Sequence, residues 1–400
     1  MKILRIVYDW PPPWLGLAPH PYELTVSQLK QGDEVTVFCG RWPKAGELEV
    51  PEGLKIFPIW REPIPDTVFF TSSIALFFKY LSFRKKKENK VDMIHCHGHF
   101  GVWIYLYRKF LKKYMPWSDE LMTPLVVHFH NTAAGRKESL EKIGRPKITS
   151  QLIGWPMSEY SDRLAADVAD ACVFVSDQLK QEAITHYGVK EDKCFVIESG
   201  VNPKRFTKVA QNEKEKSRHD LGLDMFDKVI LYLGYLVERK GVHKLVEMMS
   251  FLPPYFKLVL VGSGDPSYVQ IIQETIRKRG LENRVLRVGY TPYPQAPIAY
   301  QMSDLFVLPS EFEGMPKVLM ESLSCGVPVL VSKAVKVSQD ISGLEYIDNN
   351  DDPKDLAAQV KSMIDNPPIV ESTKIWSTYS WDMRAKELKR VYDYAKDHFI

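Results

Sequence analysis

The chain is poor in several things, and each shortage removes a class of protein. Its five cysteines (Cys39, Cys96, Cys172, Cys194, Cys325) are odd in number and scattered, each in or beside an apolar run. A free cysteine there behaves as a small hydrophobe. No disulfide framework is expected, and a reducing cytoplasm fits. The net charge is only +3, too small to argue for nucleic acid as a partner. No apolar run reaches the ~20 residues of a membrane span. The most apolar stretch, VFFTSSIALFFKYLSF at 68–83, has 16 residues with Lys79 among them. The amino-terminal MKILRIVYDWPPPW does not read as a signal peptide, because its apolar run is short and Asp9 interrupts it.

What is present is a globular composition, 45% apolar and 26% charged, with ample material for a core. Four hundred residues exceed one ordinary core, since domains usually run ~100–200 residues. The charge is uneven. From Lys79 to Lys147 there are 15 Lys or Arg against 6 Asp or Glu. Aromatics are interleaved with them in FRKKKENK (83–90) and YRKFLKKYMPW (107–117). Such a segment is either a solvated helix face or a surface suited to an anionic membrane. Peripheral membrane contact through 79–117 is therefore one expectation.

Short β-branched runs alternate with amphipathic stretches. KILRIVY (2–8), EVTVFCG (34–40), DMIHCH (92–97), PLVVHFH (124–130), ACVFVS (171–176) and KCFVIES (193–199) read as strands, and PYELTVSQLKQG (21–32) as a helix. The polar stretch 202–227 reads as a connector. The pattern then restarts with strands at 228–236, 256–262, 284–290, 305–310 and 327–332 and helices at 244–252, 268–280 and 316–326. A last helix is expected over 380–399. Alternating strands and helices imply parallel sheets with right-handed crossovers.

The stretch PSEFEGMPKVLMESLSCGVPVLV (309–331) carries the densest chemistry. LFVLPS is apolar like a buried parallel strand, and open α/β sheets bind ligands beyond the carboxyl ends of their strands. Glu313 follows at that edge. A helix is expected from Pro316 to Gly326, with an apolar face of Val318, Leu319 and Leu323 and with Glu321 pointing away from it. The helix start offers unpaired N–H groups and a positive dipole end, which suit a diphosphate. Proline donates no N–H, so Gly314, Met315 and Lys317 are the candidate donors. Two carboxylates beside a diphosphate make sense if each holds something neutral. A pair of sugar hydroxyls is such a partner.

EGMPKVLMESLSCGVPVLV, with SDLFVLPS before it, resembles the Glu-x7-Glu signature of family 4 glycosyltransferases, retaining enzymes of the GT-B fold. The resemblance implies that Glu313 contacts the donor sugar near the reacting centre and that Glu321 contacts the nucleotide ribose. LYLGYLVERKGVHKLVEMM (231–249) is similar to the family's second hallmark, in which an Arg and a Lys grip the diphosphate. Lys240 and Gly241 match it. Tyr235 stands at the usual Arg, and Arg239 is either its substitute or a surface charge. VLVGSGDP (259–266) resembles the family's Gly-x-Gly turn and nominates Gly262 beside the donor. No third glycine follows to make a dinucleotide fingerprint. WPPPWLGLAPHPYEL (10–24) stands where the family carries a glycine-rich loop. Only Gly16 remains there to let backbone approach phosphate.

Histidines cluster in HCHGHF (95–100) and HFHN (128–131). The residue types make zinc conceivable, but no carboxylate or second cysteine shares a matching spacing, and no metal is expected. VVHFHN resembles the family strand whose histidine lies close to the transferred sugar. That nominates His130 as catalytic, with His97 a second candidate at the cleft edge. His95 and His128 read as hydrogen-bonded core residues. CFVIESGVNPKRF (194–206) is similar to the family's strand end leading into the linker.

The resemblance covers nearly the whole chain and implies an α/β GT-B protein: two Rossmann-like β/α/β domains facing a central cleft. The expected domains are 1–205, acceptor-binding, joined by the crossing-back helix 380–400, and 206–379, which binds the nucleotide sugar. It implies a cytoplasmic transferase that moves a hexose from a nucleoside-diphosphate sugar to a glycan, lipid or small-molecule acceptor, with no cofactor and no obligatory metal. Two other readings stay open: a GT-B disaccharide phosphorylase, and a nucleotide-sugar-binding protein that has lost catalysis.

Overall fold

A computed structural model of the chain describes residues 1–14, 16–42, 46–60, 68–137, 148–311, 313, 316–335, 337, 340–348 and 352–399. It divides into two units, Met1–Ser199 with Trp381–Ile400, and Gly200–Ser380.

The first unit is built on strands β1 (Lys2–Val7), β2 (Glu34–Arg41), β3 (Lys55–Trp60), β4 (Met93–His97), β5 (Leu125–Phe129), β6 (Ala171–Phe174) and β7 (Cys194–Val196). They form one sheet in the order β3-β2-β1-β4-β5-β6-β7, and every pairing is parallel. Both faces are covered. Leu4, Ile6, Phe38, Ile94 and Val127 pack into one apolar cluster, while Ile3, Val7, Val37, Met93 and Val126 pack into another. Alternate residues of the same strands thus serve opposite faces, which is why the strands read as continuous apolar runs. Helix Trp381–His398 joins the second cluster through Trp381, Ala385, Leu388, Val391, Tyr392 and Ala395.

The second unit holds β8 (Lys228–Leu233), β9 (Phe256–Val261), β10 (Val285–Gly289), β11 (Leu305–Leu308), β12 (Val329–Val331) and β13 (Leu344–Tyr346), in the order β10-β9-β8-β11-β12-β13 and again parallel throughout. In both sheets the chain winds outward from the first strand, then returns to build on its other side. Each sheet therefore has a topological switch point, between β1 and β4 and between β8 and β11. Ligands of open α/β sheets bind at such points, outside the strands' carboxyl ends.

The structure departs from the expected elements in one instructive place. The stretch 202–227 is not plain connector: it contains helix Gln211–His219. That helix is anchored by polar contacts and lacks an apolar face. Arg218, 4% exposed, donates to the carbonyls of Met302 (2.8 Å) and Asp227 (3.1 Å) and pairs with Asp304 at 2.7 Å. Lys214 meets the same carboxylate at 2.8 Å.

Candidate active site

The second unit's switch point is assembled by close backbone packing. Beyond β8 the chain makes a tight turn at Glu238–Lys240 and leaves it at Gly241, with φ +65°. A Cβ at Gly241 would lie 2.6 Å from the carbonyl oxygen of Pro309, just beyond β11. Only glycine permits that approach. The Glu311 amide then donates to the Arg239 carbonyl at 2.8 Å. These contacts bring the two loops together and deliver three charged side chains to one spot. The Lys240 ammonium donates to Glu313 Oε1, and Arg239 Nη1 lies 4.0 Å from the same oxygen. Burial lowers the proton affinity of Lys240, and Glu313 opposes that shift. Below them Tyr232 donates to the Tyr235 carbonyl at 3.1 Å, and its phenol is raised by burial and by Glu313.

Glu321 has a different setting. Helix Lys317–Ser324 starts after Pro316 and stops at Gly326, where φ is +77°. From Leu319 to Ser324 every residue is buried. The helix is therefore enclosed all round, with no separate polar side for Glu321. The carboxylate, 3% exposed, accepts from the Tyr300 hydroxyl at 2.8 Å. Tyr300 is raised by burial first and by Glu321 second. Lys317 is half-buried, with its ammonium 6.0 Å from the centre of the Tyr293 ring. Gly314 and Met315 lie outside the described residues. Gly262 has a packing reason to be glycine: a Cβ there would fall 2.1 Å from the Gly234 carbonyl oxygen.

In the first unit, β4 and β5 pair with His97 opposite His128, so both histidine motifs end at the same sheet edge. His95, His97, His128 and His130 are joined there by His20, from helix Pro19–Lys30. The His20 ring centre is 4.5 Å from His130 and 4.8 Å from His128, nearly perpendicular to both. Reading the sequence missed His20, because it is separated from the two motifs along the chain. The doubly wound order is the signal that could have found it, since the connection after β1 lies beside β4. His97 is the last residue of β4. It is 6% exposed, and its Nδ1 lies 2.9 Å from His130 Nε2. Burial lowers the proton affinity of His95, His97 and His128 well below that of free histidine, so these rings are neutral. Beneath them the Tyr392 hydroxyl lies 2.7 Å from His95 Nδ1, and buried Arg5 bonds Thr25 and Gln28. Asp162 braces the loop after β5, accepting from the Ala133 amide (2.7 Å), the Tyr187 hydroxyl (2.9 Å) and His99. Gly16 has φ +54°, and a side chain there would meet Asp9 Oδ2 at 3.7 Å.

Nitrogens of His20, His128 and His130, and of His95, His97 and His128, lie within 4.8 Å of one another. His128 and His130 are parallel within 6°, His97 and His95 lie within 17° and 16° of His128, and His20 stands nearly perpendicular to His128 and His130.

A family model described as Glycosyltransferase Family 4 matches residues 15–205, and one described as Glycosyl transferases group 1 matches 213–381. An uncharacterised glycosyltransferase of Methanocaldococcus jannaschii is 26% identical, with 99% of each chain covered. Among solved structures, a sucrose-phosphate synthase of Thermosynechococcus elongatus aligns with TM-score 0.78 at 17% identity over 98% of each chain. HepE of Anabaena in complex with UDP and glucose aligns with TM-score 0.72 at 19% identity, covering 98% of this chain and 99% of that one. With the two doubly wound sheets, these likenesses define a glycosyltransferase of the GT-B fold. The chain belongs to glycosyltransferase family 4, whose two models together span most of its length.

Proposed function

We propose that the protein is a retaining hexosyltransferase. It takes a nucleoside-diphosphate sugar and passes the hexose to a glycan, lipid or small-molecule acceptor, with no obligatory metal. The meeting of Glu313, Lys240 and Arg239 at the β8/β11 switch point carries this reading. Two cations lie near one carboxylate there, and cations at a strand end are what can grip a leaving diphosphate. Helix Lys317–Ser324, with Gly314 and Met315 before it, adds backbone donors for the same group. Glu313 holds sugar hydroxyls beside the reacting carbon, Glu321 takes the ribose, and His130 contacts the sugar. The bond from the anomeric carbon to the diphosphate breaks as the acceptor oxygen bonds on the same face, and the acceptor proton passes to the leaving phosphate. Gly16 and Gly262 are best read as backbone positions flanking the donor.

The departure at Tyr235, which is 53% exposed, favours a binding protein without turnover. Arg239 answers it by supplying a second cation near Glu313. HepE was solved with UDP and glucose, so UDP-sugars head the donor panel. Thermal shift with UDP, GDP, ADP and dTDP sugars in EDTA tests the reading. A donor at 100 times its Kd stabilises by about 2.7 kcal/mol, and the product anomer is then read by NMR. A shift only with phosphate plus a disaccharide points to a phosphorylase. A nucleotide-sugar shift with neither transfer nor hydrolysis points to the binding protein.

The second proposed partner is an anionic membrane surface. Phe78, Phe110, Tyr114, Met115 and Trp117 are exposed, in the same stretch as exposed Lys79, Lys85, Lys86, Lys87, Lys109 and Lys113. Apolar anchors among cations suit anionic lipid. Among the described residues no helix is long and apolar enough to cross a membrane.

A further inference from the structure

We propose that His95, His97 and His128 bind one transition-metal ion of the zinc type at the β1/β4 switch point. The transfer reaction proposed above calls on no such ion, so the site is a second property of the first unit.

Strand register brings the three rings together. His97 stands opposite His128 on neighbouring parallel strands. His95 lies two residues before His97, so all three point to one face of the sheet. Their ring centres are 4.5 Å (His95–His97), 5.0 Å (His97–His128) and 5.6 Å (His95–His128) apart. Imidazoles that share a tetrahedral ion through bonds of about 2 Å have centres roughly 5 Å apart. One nitrogen from each ring lies within 4.8 Å of the other two. Such bonds ask for about 3.4 Å between nitrogens, so small ring rotations close the site. Near-parallel planes do not prevent this. His97 and His130 agree within 15°, yet their nitrogens face each other at 2.9 Å, because those rings lie side by side.

Hydrogen bonding points the same way. Among the described residues, Nε2 of His95, Nε2 of His97 and both ring nitrogens of His128 are buried with no hydrogen-bond partner. Buried polar atoms are nearly always satisfied, by protein, water or an ion. A single ion would meet one nitrogen of each ring at once. The Nδ1 atoms of His95 and His97 are already engaged, 2.7 Å from the Tyr392 hydroxyl and 2.9 Å from His130 Nε2. A metal-ligating histidine commonly uses its other nitrogen in this way, which fixes the ring. Burial lowers the proton affinity of all three, so at neutral pH an ion has no ring charge to displace. The ligand set also narrows the ion. It has no oxygen, which rules out Mg²⁺ and Ca²⁺. Arg5 Nη2 lies 3.5 Å from His95 Nδ1, and its charge opposes any cation. An ion that overcomes this must bond imidazole strongly, as Zn²⁺, Ni²⁺ and Cu²⁺ do.

The full chain, free of any affinity-tag histidines and stripped with a chelator, is the protein to test. Given Zn²⁺ at pH 7.5 and passed through a desalting column, it should retain one zinc per chain by elemental analysis. Its Tm should rise with zinc and not with Mg²⁺. Co²⁺ in place of zinc should give the intense visible bands of a four-coordinate ion, and X-ray absorption should count three imidazole nitrogens at about 2 Å. These readings use the unaltered protein, so they decide the matter even if a variant fails to fold. No retained zinc and no cobalt bands would mean that buried water satisfies the rings, and would overturn the proposal. Fewer than three imidazoles would overturn it too, as the mark of a surface site. Variants then fix the ligands. His95→Gln and His128→Phe should each weaken zinc binding by at least about 100-fold, and Tyr392→Phe, which removes an outer partner, by about tenfold. Exposed His219 is the control, and His219→Gln should change nothing. Zinc binding lost in His20→Gln but kept in His95→Gln would overturn the assignment to these three residues.

Discussion

At the β8/β11 switch point the half-buried ionisable groups carry opposite charges, Glu313 against Lys240 and Arg239. At the β1/β4 switch point of the other unit imidazoles gather beside buried Arg5, and burial holds at least three of them neutral. The same strand order thus supports two kinds of chemistry. Charged groups that exchange partners suit a diphosphate that gains charge as its bond breaks. Neutral rings suit hydroxyls, which are recognised by donor and acceptor pattern. The fold supplies the place, and the residues at the strand ends supply the division of labour.

The sharpest way to break this comparison is to remove the carboxylate that Lys240 and Arg239 approach. Glu313→Ala should lower kcat at least ~10³-fold, the scale of losing preorganised transition-state contacts. Glu313→Gln should do nearly as much, since it keeps the shape and loses the charge. Circular dichroism should stay unchanged in both. A near-normal kcat in either variant would remove Glu313 from the reacting centre.

The neutral side is tested by acid. Below the ordinary histidine pKa the unfolded chain protonates His95, His97 and His128, while the folded rings stay neutral because their pKa is lowered. The unfolded state then binds more protons, so stability rises with pH and is lost on acidification below about pH 6.5. Each fully neutral ring contributes a slope of up to about 1.4 kcal/mol per pH unit. Arg5 and the neighbouring imidazoles of His20 and His130 add to the cost of charging them. Hydrogen exchange should show peptides of Met1–Ser199 opening at pH 5.5 before those of Gly200–Ser380. His128→Phe should flatten the pH dependence by one ring's share. A midpoint that does not move between pH 7.5 and 5.5 would mean that the rings are charged.

A smaller effect separates the two glutamates. Glu321 is held by Tyr300, away from the Lys240 pair. Glu321→Ala should raise the donor KM about tenfold with kcat changed less, as for a contact made equally in ground and transition states. Tyr300→Phe should raise it only a fewfold, because it loosens the carboxylate without removing it. An unchanged KM in Glu321→Ala would count against ribose contact.

Several of these features were legible in the sequence because they are local. The strand runs, the Glu-x7-Glu spacing and the Lys240–Gly241 pair all announce themselves within a few residues. What was not legible depends on packing between distant segments. His20 meets His128 and His130 only because of strand order. Helix Gln211–His219 has no apolar periodicity, and its anchor is the distant Asp304. β3, β13 and helix Pro353–Asp365 gave no motif to read. The sequence turns Glu321 away from the apolar face of its helix, and only the enclosing side chains reveal its burial. The Gly262 pattern resembles a ligand turn, yet the Gly234 carbonyl alone already requires a glycine there.

The smallest expected effect concerns the basic face of the first unit, and it asks whether charge matters there too. Lys85, Lys86 and Lys87 are exposed, so replacing them with Gln should leave the fold and the soluble-acceptor kcat unchanged. Each lysine near an anionic surface is worth about 1 kcal/mol, and the triple variant should bind phosphatidylserine-containing vesicles more weakly in a salt-dependent way. Trp117→Ala should weaken binding with little salt dependence, because its contribution is burial in the interface. Loss in the lysine variant alone would make the contact purely electrostatic. Unchanged sedimentation in both variants would make this a solvated helix face.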